Sequence, residues 1–436
     1  MSPNSIKIGA VTLGCPKNTA DTESVLASLP ERFELSNVQD AAIVLMNTCA
    51  FLQKARDEVF EKLESLRDKK VVLFGCMAGI IKPDIFQTHP QVCAVVSGLH
   101  YPHMDDILDQ VVKDQRVFAV DKEPLTFVDM GGKLLLTPPS YAYVKIAEGC
   151  DNACSYCLIP KLKGHYRSRH FESILAECKD LIGLGVKELV LVAQDCGLYG
   201  FDLHPKRNLV ELLRAIADLP GEFWVRLLYT YPERITDELL NLIAEHPKIC
   251  KYLDIPFQHG DPDILRAMHR PNNVERIRNQ ITHIREVIPG VAIRTSLIVG
   301  FPGEGDRAFE NFMDFIEFSR FDHVGIFEYS REPQTKAYYL PRQLNEETKK
   351  KRRKEAMLAQ QKISLEIHKK LINKTLHTLI ETYDEDRKWY RGRPMRFAPE
   401  IDGTLFVKSK SPLVLNEFHD VKITGAEPYD LIGEAV

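Results

Sequence analysis

Three cysteines, Cys150, Cys154 and Cys157, lie within eight residues in the stretch EGCDNACSYCLIPKLKG. Two cysteines at such spacing would favour a disulfide or a redox pair, and four would favour structural zinc. A 4Fe–4S cube normally takes one thiolate per iron, so three thiolates would leave one iron open. An open iron can chelate the amino and carboxylate groups of S-adenosylmethionine (SAM), whose reductive cleavage releases an adenosyl radical. The alternative is three buried structural thiols.

An aromatic residue, Tyr156, directly precedes the last of these cysteines. With that residue in place, the spacing resembles the signature of the radical SAM superfamily. The resemblance implies a 4Fe–4S cluster held by the three cysteines, with SAM bound at the remaining iron.

Three further cysteines share a different feature, because each follows an apolar run that is typical of a buried strand. Cys15 follows GAVTLG, Cys49 follows IVLMNT and Cys76 follows VVLFG. The carboxyl ends of strands in a doubly wound sheet converge on one crevice, so we expect these thiols to meet there. The pattern predicts a second cluster with an open iron. The alternative is three ordinary core cysteines, since free cysteine is often buried. We interpret the remaining cysteines as core residues: Cys93, Cys178, Cys196 and Cys250.

The hydrophobic pattern predicts an α/β chain of three domains that position these cysteines. Strand and helix patterns alternate over residues 1–130, which predicts a doubly wound parallel α/β domain. The stretch DMGGKLLLTPPSY then predicts a linker. Six more alternating strands over residues 138–370 predict a partial (β/α)6 TIM-like barrel, whose open side would admit a large substrate. Short strand patterns over residues 371–436 predict a small antiparallel β-barrel.

Four stretches together resemble the methylthiotransferase family of radical SAM enzymes: TLGCPKNTADTES, NTCAFLQKARDE, GCMAG and EGCDNACSYCLIPKLKGHYRSR. The resemblance covers essentially the whole chain and implies an auxiliary cluster on Cys15, Cys49 and Cys76, a radical SAM barrel and a C-terminal TRAM barrel. It also implies two SAM molecules, one as methyl donor and one as source of the 5′-deoxyadenosyl radical, with a sulfur donor and an external electron donor. Lys163 and Cys196 depart from the family's usual arginine and threonine.

Contacts to SAM are expected at the strand ends that face the barrel mouth. The candidates are Tyr156, Gln194, Asp195, Gln258, Arg294 and Ser296, with His259, Glu328 and Tyr329 as further possibilities. The alternative for each is an ordinary polar strand end. We assign no catalytic side chain, because no side-chain base removes hydrogen from an unactivated carbon and the cofactors carry that chemistry.

Charge and local motifs distinguish two classes of substrate. From Asn373 to Val436 there are nine Lys or Arg against eleven Asp or Glu, which disfavours a polyanionic partner. The motifs TLGCPKN and APEIDG resemble the ribosomal-protein branch of the family, the RimO type. We therefore hypothesise that the substrate is the β-carbon of an aspartate in small-subunit ribosomal protein twelve. A tRNA adenosine methylthiotransferase and a non-enzymatic iron–sulfur carrier are the alternatives.

The remaining expectations concern the environment of the chain. Neither a signal peptide nor an apolar run of membrane-spanning length is present, so we expect a cytoplasmic protein with no membrane partner. We also expect a monomer, since no heptad or exposed repeat is present. The basic run KKKRRK (Lys349–Lys354) is interpreted as a solvated helix face, the alternative being a contact with ribosomal RNA phosphates.

Overall fold

A computed structural model describes residues 5–121 and 126–436 of the 436-residue chain. The described residues form a parallel α/β domain, a partial barrel and a small closed barrel, in chain order. The α/β class and the three architectures predicted from the hydrophobic pattern are confirmed. Within the described residues, no helix combines the length and the apolar character needed to cross a membrane.

The N-terminal domain is built on a parallel six-stranded sheet in the order β2-β1-β3-β4-β5-β6. Its strands are β1 (Ile6–Thr12), β2 (Phe33–Leu35), β3 (Ile43–Thr48), β4 (Lys70–Gly75), β5 (Val92–Val96) and β6 (Val117–Ala119). Its helices are α1 (Pro16–Ser28), α2 (Gln53–Glu64), α3 (Ile85–Thr88) and α4 (Met104–Val112). The strand order reverses between β1 and β3, and ligands of such sheets bind beyond the carboxyl ends at this switch point.

The central domain is a partial barrel of six parallel strands. Two three-stranded ladders, β7-β10-β11 and β12-β13-β14, are joined by a bridge between Val225 and Ile249. The strands are β7 (Tyr141–Lys145), β10 (Glu188–Val192), β11 (Trp224–Leu227), β12 (Tyr252–Asp254), β13 (Ala292–Val299) and β14 (His323–Glu328). The helices are α5 (Ile159–Lys163), α6 (Phe171–Gly183), α7 (Leu209–Ala217), α8 (Asp237–Glu245), α9 (Pro262–Ala267), α10 (Val274–Val287), α11 (Asp306–Ser319) and α12 (Glu346–Lys369). The main core lies between these strands and helices.

A two-residue ladder closes the cysteine loop of the central domain. The strands β8 (Ala147–Glu148) and β9 (Arg167–Ser168) pair antiparallel. The residues between them, including Cys150, Cys154 and Cys157, are therefore held as one loop directly after β7.

The last domain is a closed barrel in the order β15-β16-β17-β19-β18. Its strands are β15 (Thr375–Asp384), β16 (Trp389–Pro394), β17 (Leu405–Lys408), β18 (Glu417–Ala426) and β19 (Leu431–Ala435). The small barrel predicted from the short strand patterns is confirmed. The pairing differs from a purely antiparallel barrel at one place, because β17 and β19 run parallel.

The last domain packs against the amino ends of the central strands. Tyr141 and Tyr143 each donate a 2.8 Å hydrogen bond to Glu400, and Tyr252 donates one of 2.7 Å to Asp402. Both acids belong to the APEIDG motif, which here holds two domains together. The carboxyl ends of the strands, where such barrels place their chemistry, lie opposite this contact.

Candidate functional site

The first set of cysteines lies at the carboxyl ends of three neighbouring strands, β1, β3 and β4. Cys15 caps the start of α1, Cys49 directly follows β3, and Cys76 directly follows β4. The chain is tightly folded here, since a Cβ added to Gly14 (φ +103°) would lie 2.8 Å from the Cys49 Cβ. Adjacent parallel strands end side by side, so the structure brings these three residues together.

Asn18 connects the loops that carry the first set of cysteines. Its side-chain amide donates to the backbone oxygens of Leu13, at 2.7 Å, and Thr48, at 3.2 Å. The amide oxygen then lies 3.9 Å from Cys15 Sγ and 4.0 Å from Cys76 Sγ. Sequence reasoning missed this residue, although a polar residue three positions after Cys15 was a usable signal. The fully buried amide fixes the spacing of the loops that carry the thiols.

The second set lies in the loop between β8 and β9. The backbone NH of Cys150 donates to Gly164 at 3.2 Å, and the NH of Cys157 donates to Cys154 at 3.2 Å. The Cys157 sulfur accepts a 3.4 Å hydrogen bond from the NH of Ile159. These bonds wind the loop into a turn with its three cysteines on one short segment.

The two cysteine sets lie on segments that pack against each other. Leu158 and Leu162, which follow the second set, pack in the same apolar cluster as Cys76, Met77 and Ala78. The apolar residues next to the cysteines therefore join the N-terminal domain to the barrel.

Burial controls the ionisation of these thiols. It raises the pKa of Cys76 and of Cys157 to about 12 each. Lys163 opposes the rise at Cys76, and Arg270 opposes it at Cys157. The free thiols of Cys76 and Cys157 are consequently neutral at pH 7. Since metals bind the thiolate, loading either set releases protons.

The donor set fits an iron–sulfur cube better than a single ion. All ten cysteines lie in the described residues and are free thiols. In that part of the chain, no group of three or more His, Cys, Asp or Glu is placed to hold a single metal ion. The thiolates of a cube bind different irons, so they stand farther apart than the ligands of one ion. Three thiolates in each set match a 4Fe–4S cluster with one open iron.

Several of the expected SAM contacts lie at the barrel mouth. Gln194, after β10, has a buried side-chain oxygen with no hydrogen-bond partner among the described residues. Asp195 accepts a 3.0 Å hydrogen bond from Asn152, which stands inside the cysteine loop. Gln258 (φ +74°) pairs through its NH with Ser296 at 2.9 Å. An unpartnered buried oxygen beside the cysteine loop is what a site for a polar cofactor requires.

Family models match all three parts of the chain. Residues 7–97 match "Uncharacterized protein family UPF0004", residues 144–316 match the radical SAM superfamily, and residues 372–436 match the TRAM domain. The chain is 40% identical to the ribosomal protein uS12 methylthiotransferase RimO of Acetivibrio thermocellus, over 99% of this chain and 98% of that protein. It is 40% identical to the corresponding protein of Clostridioides difficile, over 99% of each. The chain belongs to the RimO family.

A solved structure shows the same fold at much lower sequence similarity. The radical S-adenosylmethionine methyltransferase TsrM of Kitasatospora setae, solved with cobalamin and a [4Fe–4S] cluster, is 14% identical with a TM-score of 0.54. The likeness covers 77% of this RimO-family chain and 74% of TsrM. At this identity it shows a shared fold alone.

Other predicted contacts of this RimO-family chain are engaged within the protein. Arg294 pairs with Asp254 at 3.1 Å and approaches Asp402 of the last domain at 3.6 Å. His259 is buried, with one ring nitrogen 3.1 Å from Glu304 and the other 2.9 Å from the NH of Asp261. Tyr329 is buried in the apolar cluster that contains Phe301, and Glu328 lies 4.0 Å from Arg353. Tyr156 packs edge-on against Phe301, at 6.5 Å between ring centroids.

Sequence reasoning also missed Arg270. Its guanidinium lies 3.8 Å from the ring centroid of Tyr231 and donates to the backbone oxygen of Pro256. A second nitrogen lies 3.7 Å from the sulfur of Cys154. This contact holds the sulfur in place, which makes Arg270 a positioning residue of the second set. No spacing rule connects it to the loop, since 116 residues separate Arg270 from Cys154.

Proposed function

We propose that this chain transfers a methylthio group to the β-carbon of an aspartate in ribosomal protein uS12. The observation that carries the proposal is the packing of the segments that bear two three-cysteine sets into one apolar cluster, in a chain 40% identical to uS12 methylthiotransferases over 99% of its length. A carrier of iron–sulfur clusters would need neither a barrel with a free mouth nor a third domain.

We assign one 4Fe–4S cluster to Cys150, Cys154 and Cys157 and the other to Cys15, Cys49 and Cys76. The bound clusters, with two SAM molecules and a sulfur donor, supply the radical and methylthio chemistry that no side chain can supply. The chain's own residues hold these groups in position relative to one another. Asn18 and Arg270 fix the two thiol sets.

We assign the polar face of SAM to residues of the barrel mouth. Gln194 and Ser296 offer side chains that are half-buried, and Gln258 offers one beside Ser296. Tyr156 and Asp195 border the cysteine loop and belong to the same proposed set. Arg294 would have to leave Asp254 and Asp402 to reach SAM, so its part in binding stays a prediction.

The last domain favours a protein substrate over tRNA. Its nine Lys and Arg are outnumbered by eleven Asp and Glu. Two of the nine are used inside the protein, because Arg393 pairs with Glu188 and Arg396 with Asp322 at 2.6 Å. A domain with so little free positive charge suits a basic ribosomal protein better than a phosphate backbone. A monomer, an external electron donor and a cytoplasmic location complete the proposal.

We propose domain boundaries at residues 1–130, 138–370 and 371–436. The segment between the first two domains is packed rather than free, because the NH of Leu136 donates to Glu23 at 2.9 Å and Lys133 pairs with the same carboxylate at 3.2 Å. This linker therefore fixes the N-terminal domain on the barrel.

Iron and sulfide counts test the two-cluster assignment. Anaerobically reconstituted protein should hold about eight irons, and replacing either cysteine set with alanine should leave about four. Cys93→Ala is the control, since this half-buried cysteine of β5 lies in neither set and should not change the count. A single cube in the unaltered protein would overturn the assignment.

Product analysis tests the reaction and its substrate. With SAM and a reductant, the loaded protein should form 5′-deoxyadenosine and add a methylthio group to uS12, detected by mass spectrometry. Absence of 5′-deoxyadenosine would exclude radical chemistry. A methylthio group on tRNA adenosine, with uS12 unmodified, would overturn the choice of substrate.

A further inference from the structure

A single lysine bridges the N-terminal domain and the barrel mouth. Lys17 lies two residues after Cys15, in the first turn of α1. Its ammonium stands 3.8 Å from the ring centroid of Tyr229, which follows β11. The Tyr229 backbone is itself fixed in the mouth, since its oxygen accepts from the NH of Cys196 at 3.0 Å and its NH donates to Asp254 at 3.2 Å. Lys17 therefore lies between the first cysteine set and the strand ends of the barrel.

Among the described residues, Lys17 has no anionic partner, unlike three other sheltered lysines near the contact between the N-terminal domain and the barrel. Lys163 pairs with Glu148 at 2.6 Å, Lys145 pairs with the same carboxylate at 2.9 Å, and Lys133 pairs with Glu23 at 3.2 Å. In residues 5–121 and 126–436, the Lys17 ammonium meets no carboxylate and no other hydrogen-bond acceptor. An aromatic face attracts a cation but fills none of its three N–H donors. A half-buried ammonium whose N–H donors are unfilled is suited to bind an anionic group of a ligand.

We propose that Lys17 binds the side-chain carboxylate of the aspartate that is modified; this inference rests on the proposed function. The reacting carbon must lie between the two cysteine sets, because hydrogen leaves it on the barrel side and sulfur reaches it from the Cys15 side. The β-carbon of aspartate is one bond from its carboxylate carbon. An ammonium that holds the carboxylate at this point therefore also places the β-carbon. Lys17 selects an acidic side chain over an amide or a nucleobase.

The alternative role for Lys17 is to offset the negative charge of a cluster on Cys15. The two roles make different predictions, because a cluster partner would affect iron content and spectra but would not distinguish aspartate from asparagine in the substrate. The test therefore varies the lysine and the substrate carboxylate together.

Binding is measured on the reconstituted protein with SAM but without reductant, so that no turnover occurs. The modified aspartate of uS12 is first located by mass spectrometry and then replaced with asparagine. Unaltered protein should bind the asparagine form about tenfold or more weakly, the usual effect of losing a hydrogen bond to a charged group. Lys17→Met should bind both forms equally, and Lys17→Arg should retain a preference for aspartate.

The control is Lys248→Met, which removes another half-buried lysine stacked on an aromatic ring, 4.3 Å from the centroid of Phe223. It should keep the full preference for aspartate. If Lys17→Met fails to load its clusters, Lys17→Gln carries the same comparison. A preference that survives loss of the charge at position 17 would overturn the inference, whether or not the iron content or spectrum changes. Failure of unaltered protein to bind or modify uS12 would instead remove the proposed function and the inference together.

Discussion

Replacing Glu188 with glutamine should weaken the contact between the barrel and the last domain. Glu188 begins β10 and is fully buried, with Arg226 at 2.5 Å on one side and Arg393 of the last domain on the other. The neutral amide would leave two buried guanidinium groups with too little negative charge. Arg393 would keep Glu381, but Arg226 would keep no carboxylate among the described residues. It would retain the backbone oxygen of Met395 at 2.8 Å and the ring of Tyr252, whose centroid lies 4.6 Å away.

The expected loss is about 3–5 kcal/mol, the usual cost of removing one partner from a buried ion pair. Glu188 should also make the free energy of unfolding depend on pH. Burial alone would raise the pKa of Glu188, but attraction to Arg226 and Arg393 outweighs burial and lowers it. A carboxyl group whose pKa is lowered on folding stabilises the fold at neutral pH and loses that contribution as the pH falls towards its folded pKa. Glu188→Gln should therefore show a smaller loss of stability on acidification than the unaltered protein.

Tryptophan fluorescence provides the assay. Trp224, in the barrel, packs 4.6 Å from Phe418 of the last domain, so its emission reports separation of the two domains during urea unfolding. Trypsin cleavage at the exposed Lys370 and Lys374, between α12 and β15, gives a second readout.

The matched control removes an exposed charge from the same interface. Glu417→Gln breaks a 3.1 Å pair with Lys187 in which the Glu417 side chain is 43% exposed, and it should cost at most about 1 kcal/mol. A Glu188→Gln protein that unfolds within about 1 kcal/mol of the unaltered protein would refute the reasoning. So would equal losses in the two variants.

Three further predictions concern the cysteine sets. Gly75→Ala should cost at least about 2 kcal/mol in urea unfolding, because Gly75 has φ +91° and the new Cβ would lie 2.1 Å from Asn47 Oδ1. Arg270→Lys should cost about 1.5–3 kcal/mol in the unfolding of reconstituted protein, since one ammonium cannot replace a guanidinium that reaches both Cys154 and a carbonyl. The initial rate of cluster uptake by apoprotein, followed by absorbance, should rise steeply between about pH 7 and 9, because burial raises the pKa of Cys157 to about 12 and the ligand is the thiolate.

Control variants test the first two predictions, and a contradicting outcome is defined for the third. Gly98→Ala should leave stability almost unchanged, because a Cβ there would meet nothing within 4 Å. Arg266→Lys, on the exposed side of α9, should also be nearly neutral, with a side chain that is 66% exposed. If either control costs as much as its partner, local packing does not explain the effect. A rate of cluster uptake that does not change with pH would show that thiol ionisation does not limit loading.

Most of the fold follows from the sequence because strand and helix patterns depend on neighbouring residues. The alternation of apolar runs and charged stretches predicted the parallel sheet, the six barrel strands and the closed barrel. The start of α12 also depends on neighbouring residues, since Asn345 accepts a 2.8 Å hydrogen bond from the NH of Thr348 as a helix cap. The parallel pairing of β17 with β19 could not be predicted from the sequence, because these strands are not consecutive in the chain.

The basic run in α12 shows why local reasoning fails for some charged residues. Lys350, Lys351 and Lys354 are exposed, as expected of a solvated face, but Lys349 and Arg352 are buried. The helical period turns those two positions towards the barrel. Lys349 donates to the backbone oxygen of Tyr329 at 2.9 Å, and Arg352 donates to Glu304 at 2.8 Å. Six consecutive charges cannot all lie on one side of a helix.

The sequence by itself determined the two sets of thiols, their positions after strands and the family to which the chain belongs. Spacing within a loop and distance from a strand end are properties of consecutive residues. Only the tertiary structure decided which distant cations and amides meet those thiols and that Arg294 pairs inside the protein. It also decided that Lys17 has no anionic partner in the part of the chain that the structure describes. Such pairings join residues from different elements, and their energies depend on burial, which exists only once the chain has folded.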